Sequence, residues 1–214
     1  MTSFLVLFRA VGYGLLLLTL FDVISAFAVS PSQFGNPGWQ FQTAGGFVER
    51  SAVPLIGFIL VFYDNLESRK KRESIVLRLL SWIALLSGVF YFALVVVFFL
   101  NAPTLNEQGQ KQLDAQFEPR IAQAKLVQSE LKKLQPAQIE AAMKANRITG
   151  DPQAFKATQE QNAATQEKNL TLQSTLTSND RRLTLIKSAV KWALGALVTG
   201  VLFVRIWAGT DWAR

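Results

Sequence analysis

The 214-residue chain has no histidine and no cysteine, only two methionines, and charged residues at just 17% of its positions. The first two absences exclude a His-containing catalytic triad, a cysteine nucleophile, a disulfide framework and every zinc or iron–sulfur site built on His or Cys. The shortage of charge leaves little with which to cover a soluble surface. Half of the residues are hydrophobic and the mean hydropathy is +0.23. Basic residues outnumber acidic ones by 22 to 15, a net charge of +7. Only the distribution of that excess separates a nucleic-acid footprint from a membrane-surface or topology signal.

The apolar residues fall into four runs. Residues 4–29 are interrupted only by Arg9 and Asp22, and at 26 residues the run exceeds the roughly 20 that cross a bilayer as a helix. A cleavable signal peptide, with residues 1–28 removed after Ala26-Phe27-Ala28, is the alternative, but the run is longer than a usual signal core. Residues 30–46, with two prolines, four glycines and no charge, read as a turn-rich interfacial loop anchored by Phe34, Trp39 and Phe41. Residues 47–63 give a second, short span containing Pro54. Residues 79–100 form a third span without a charge, and residues 185–207 a fourth. The expected fold is therefore an all-α membrane protein with four transmembrane helices and a translocated helical hairpin between the third and fourth. Its parts are a three-span membrane region (1–100), a Gln-rich segment (101–184), and a last span with a short tail (185–214).

Short loops orient such a chain. The 64–78 loop holds five basic residues and the 30–46 loop none, which places the former in the cytoplasm together with both termini. The 84-residue polar segment then faces the periplasm or a lumen. Lys187 and Lys191 fall on the translocated side and oppose this orientation, whereas Arg205 and Arg214 support it. The segment carries 11 basic and 9 acidic residues, so most of the excess charge lies elsewhere.

Residues 101–184 contain 13 glutamines and only two aromatics, Phe117 and Phe155. Leu113, Phe117, Arg120, Ala124, Val127, Leu131 and Leu134 alternate at spacings of four and three, the pattern of a coiled-coil seam. The return arm is weaker: the register Phe155, Thr158, Asn162, Thr165, Asn169, Leu172, Leu176, Asn179, Leu183 and Ile186 is polar in its middle. Pro136 ends or kinks the outgoing helix, residues 137–148 suit a short helix, and Thr149-Gly150-Asp151-Pro152 is a stop and turn signal. Arms 104–135 and 153–184 are equally long, which favours an antiparallel hairpin over a disordered Gln-rich loop.

Several motifs carry competing readings. Arg69, Lys70, Lys71 and Arg72 suit contact with anionic lipid headgroups or simply fix topology. They offer no groove-reading or base-stacking element, so no nucleic-acid partner is expected. Asp22 and Arg50 are placed to form an interhelical ion pair. Three Ser-x-x-Lys patterns lack the companion motifs of a hydrolase, and the carboxylates of the polar segment are not gathered by an enclosing fold. Ala10/Gly14, Ala84/Gly88 and Ala196/Gly200 permit close helix packing, within one chain or between copies.

The stretch Pro31-Ser32-Gln33-Phe34-Gly35-Asn36-Pro37-Gly38-Trp39-Gln40, continuing as Phe47-Val48-Glu49-Arg50-Ser51-Ala52-Val53-Pro54-Leu55-Ile56-Gly57, resembles the cyanobacterial HpsJ-like membrane proteins, as does the order of parts. The resemblance implies a cyanobacterial plasma-membrane or thylakoid protein linked to hormogonium polysaccharide production and secretion, and it supplies no catalytic residue or cofactor. The expectation is a non-enzymatic scaffold without cofactor or metal. Its partners are membrane lipids, other membrane, periplasmic or lumenal proteins, or further copies of itself, met through Leu172, Leu176 and Leu183. The alternatives are an assembly or stabilising factor for thylakoid photosynthetic complexes and a small transport or channel component using Asp22, Glu49 and Arg50.

Overall fold

The computed structural model describes residues 2–28, 31–63, 71–145 and 147–213, and among these the secondary structure is helices joined by short turns, with no strand. The helices are α1 (Thr2–Ala28), α2 (Pro37–Glu49), α3 (Ala52–Phe62), α4 (Lys71–Lys133), α5 (Pro136–Ala145) and α6 (Pro152–Gly209). Short 3-10 turns stand at Pro31–Gln33 and Asp211–Ala213. Three of the helices, α1, α4 and α6, contain segments long and apolar enough to cross a membrane. Helices α2 and α3 meet that test only together, bent by 40° at the break between them; counted as one span, they bring the number to four.

Two expectations change here. Residues 37–46 are helical, because Asn36 caps α2: its side-chain oxygen accepts from the backbone N–H of Gly38 at 2.8 Å and of Trp39 at 3.4 Å. Pro37 occupies the first helical position, where its missing N–H costs nothing. The expected 47–63 run is therefore split. Phe47, Val48 and Glu49 end α2, and the 11-residue α3 by itself reaches only about 16 Å, half of a hydrocarbon core of about 30 Å.

The chain forms two compact units, residues 1–105 with 185–214, and residues 106–184. In the first, glycines bring helices to backbone contact. A Cβ on Gly12 would lie 2.9 Å from the Gly57 carbonyl oxygen, so α1 crosses α3 at this pair. Gly88 of α4 and Gly200 of α6 face one another in the same way, which places the Ala84/Gly88 and Ala196/Gly200 patterns in contact within a single chain. Gly45 of α2 lies under the Trp192 ring of α6, and Gly195 under Val48. Aromatic rings fill the spaces between, with Phe41, Phe58, Phe98 and Phe203 each no more than 5% exposed. Phe41 is thus a core residue packed on Phe98 and Trp192, not the interfacial anchor expected from its position. Phe34 and Trp39, the latter in the first turn of α2, form an aromatic cluster with Phe27 of α1.

In the second unit, α4 ends two residues before Gln135-Pro136, and Pro136 and Pro152 begin α5 and α6. Arg147, in the left-handed region at φ 55°, closes α5: its N–H reaches the Lys144 carbonyl, and the Ile148 N–H reaches that of Met143. Asp151 caps α6 through Gln153 and Ala154. The arms of α4 and α6 pair antiparallel. Arg181 hydrogen-bonds the Gly109 carbonyl, Lys125 meets Glu167 at 3.8 Å, and Lys156 donates to the Leu134 carbonyl at 3.0 Å. From Gly109 to Leu134 and from Arg181 to Lys156 the chain advances and retreats by equal lengths, so the register does not slip.

The residues that face inward differ from those expected. Arg120 and Val127 are exposed, and Ile121 and Gln128 take their places beside Leu113, Phe117 and Ala124. The steps from Leu113 through Phe117, Ile121, Ala124 and Gln128 to Leu131 are four, four, three, four and three, so one extra four-residue step interrupts the alternation of four and three. An insertion of four residues of this kind locally unwinds a coiled coil toward a straight helix. On the return arm the inward positions are Ala163, Glu167, Leu170, Ser174 and Ser178, and the register expected from Thr158 to Ile186 faces outward.

Candidate functional site: the helix break and the outer hairpin face

Polar side chains of the first unit gather at the break between α2 and α3. The Gly46 carbonyl accepts the Arg50 N–H and the chain turns at Arg50 and Ser51, which sends consecutive side chains to different neighbours. The Glu49 carboxylate accepts from Lys191 Nζ at 2.8 Å and from Trp192 Nε1 at 3.0 Å, both on α6. Arg50 Nη1 lies 3.3 Å from Asp22 Oδ1 of α1, in a pair whose side chains are 69% and 51% exposed. Ser51, buried, shares a hydrogen bond of 3.1 Å with Thr199 of α6. Three adjacent residues thus tie the break to two other helices.

The turn before α2 is fastened as firmly. Gln40 donates to the Phe34 carbonyl at 2.6 Å and accepts from Asn101 Nδ2 of α4 at 2.9 Å. Tyr91 of α4 donates to the Phe47 carbonyl at 3.0 Å. Ser81 and Thr210 are hydroxyl partners at 2.8 Å where α4 meets the end of α6. The sequence reading missed the Glu49, Ser51 and Ser81 contacts. Their residue types were the only available signal, since Ser, Thr and Glu within apolar runs require partners.

Of the basic cluster, Arg69 and Lys70 lie outside the described residues, and Lys71 and Arg72 begin α4 with only their backbone described. Leu172, Leu176 and Leu183 are 54%, 54% and 52% exposed, on the face of α6 turned away from the outgoing arm. On that outgoing arm Lys111 and Glu107 pair at 2.6 Å across one helical turn, and the ammonium holds the carboxyl below its ordinary value.

With this geometry in place, the comparison with protein families is decisive: the model described as HpsJ-like protein matches residues 3–211. The chain belongs to the HpsJ-like family. Neither the curated proteins nor the solved structures provide a match. The stretch that carries the sequence resemblance to HpsJ-like proteins has a structural role at each polar position described above. Asn36 caps, Gln40 bridges, Glu49, Arg50 and Ser51 fasten the break, and Gly57 makes the close crossing with Gly12.

Proposed function

We propose that this HpsJ-like chain is a non-enzymatic integral-membrane scaffold whose helical hairpin recruits or spaces partner proteins. In this reading α2 and α3 make one broken span, so that four spans cross the membrane. The basic 64–78 loop and both termini face the cytoplasm, and the hairpin faces the periplasm or a lumen. The contact from Lys191 to Glu49 supports this orientation, because it gives a translocated lysine that would oppose it a local partner. Secretion of polysaccharide across a cyanobacterial membrane is the process that the family resemblance suggests for such a scaffold.

The observation that carries the reading is the row Leu172, Leu176 and Leu183. Spacings of four and seven residues align these side chains on one helix face, where each stays more than half exposed while the opposite face of α6 is occupied by its antiparallel arm. Apolar side chains aligned in this way on a surface helix form a binding face for another helix. Replacing all three by serine in the full chain is expected to abolish co-purification of crosslinked partners while helicity is retained. Removal of residues 104–184 should have the same effect. Unchanged partner recovery in both variants would refute the scaffold role.

A further inference from the structure

Two cavities of the first unit adjoin along α1. One, of about 220 Å³, lies at the α2–α3 break and is lined by Asp22, Arg50, Thr43 and Tyr91. The other, of about 570 Å³, is almost wholly apolar, walled by Leu17 and Leu20 of α1, Phe58 of α3 and Ile83 of α4, and reaches down to Tyr13. Thr19, Val23 and Pro54 line both, so the two adjoin, and taken together they offer a groove with a charged mouth and an apolar body. From Asp22 to Tyr13 α1 rises about 14 Å. That is close to half of a hydrocarbon core of about 30 Å, the depth of one leaflet. Gly14, itself exposed, lines the groove, and an added Cβ there would meet nothing within 4 Å.

The mouth has unused bonding capacity. Among the described residues the Arg50 guanidinium engages Asp22 through Nη1, and both side chains remain more than half exposed. Arg50 thus keeps donors for an anion, and Asp22 keeps acceptor positions. Among the described residues, Arg50 is the one cation lining the mouth and Asp22 the one acid. A headgroup amine would compete with Arg50 for Asp22, whereas headgroup hydroxyls add to the pair without breaking it.

We propose that this groove retains one phospholipid with an anionic glycerol headgroup. Its phosphate is taken by Arg50, its headgroup hydroxyls donate to Asp22, and an acyl chain lies along Val23, Leu20 and Leu17 toward Tyr13. The site needs only that α1 lies in a membrane, so it stands or falls independently of the scaffold role.

The test is lipid retention by the purified full chain. The protein is exchanged through mixed micelles of phosphatidylglycerol and phosphatidylcholine, washed, and weighed by native mass spectrometry. The intact chain should keep phosphatidylglycerol in preference by roughly tenfold, the scale of a hydrogen bond to a charged group. Arg50→Gln should lose the preference and Arg50→Lys keep part of it. Gly14→Leu, which fills the groove from a side with open space, should release both lipids while circular dichroism shows unchanged helicity. Glycerol phosphate without acyl chains should not displace the lipid. Equal retention of the two lipids by the intact chain would mean annular lipid only and overturn the proposal, as would a folded Gly14→Leu chain that still holds phosphatidylglycerol.

Discussion

In the bundle formed by residues 1–105 and 185–214, helices approach until ring meets backbone, with Gly45 beneath Trp192 and Gly12 against Gly57. In the hairpin, the arms meet over Ala124, Ala163 and Leu113, and long polar side chains such as Arg181, Lys125 and Lys156 fix the register. The difference follows from what each kind of surface can gain by association. Apolar helices surrounded by lipid gain little from hiding apolar area, so close fit and interhelical hydrogen bonds hold them together. Helices rich in glutamine have little apolar area to bury, so their few alanines and leucines form a thin seam. The leucines outside that seam, Leu172, Leu176 and Leu183, stay exposed.

Three substitutions would sharpen or break this contrast. The largest effect is expected for Gly45→Leu, because the atoms of the Trp192 ring already lie 2.6 to 2.7 Å from the position of a Cβ. Overpacking of this kind should cost about 3 kcal/mol. Unfolding of the purified protein in mixed micelles should show the loss, with hydrogen exchange of the hairpin amides unchanged. Leu113→Ala should cost about 2 kcal/mol, the low end for a core leucine, because a seam of small side chains can close over the gap. Faster exchange should then appear in residues 106–184 and leave the bundle protected. The smallest effect is expected for Asn36→Ala, about 1 kcal/mol for a lost helix cap. It should loosen the first turn of α2, read as faster exchange at Gly38 and Trp39. If the hairpin variant destabilised the bundle as much as the hairpin, the two units would not be held independently and the comparison would fail.

Much of the helix layout was legible from single residues. Pro136 and Pro152 mark helix starts because proline suits the first turn, and Asp151 before Pro152 is a strong cap. Asn36-Pro37 has the same logic. There the glycines and the absence of charge in residues 30–46 favour a loop and outweigh the cap signal. The Asp22–Arg50 contact was foreseeable, since two opposite charges within apolar runs seek one another. The roles of Glu49 and Ser51 were not, because their partners Lys191, Trp192 and Thr199 lie more than 140 residues away and no local pattern points to them. The hairpin seam was misplaced by one position at Arg120 and Val127. Apolar residues are too sparse in this arm to reveal the one extra four-residue step, from Phe117 to Ile121, that shifts the inward face.

A helical chain with long apolar segments, a polar insertion of different character, and the capping and proline signals that bound the helices can all be read from the residues alone, because these depend on neighbours a few positions apart. Which glycines touch which helix, the burial of Phe41, the break between α2 and α3 at Arg50, and the open space beside Gly14 emerge when the helices pack. Those outcomes depend on where separate helices cross. A crossing is a property of two surfaces together, which no single stretch of sequence contains.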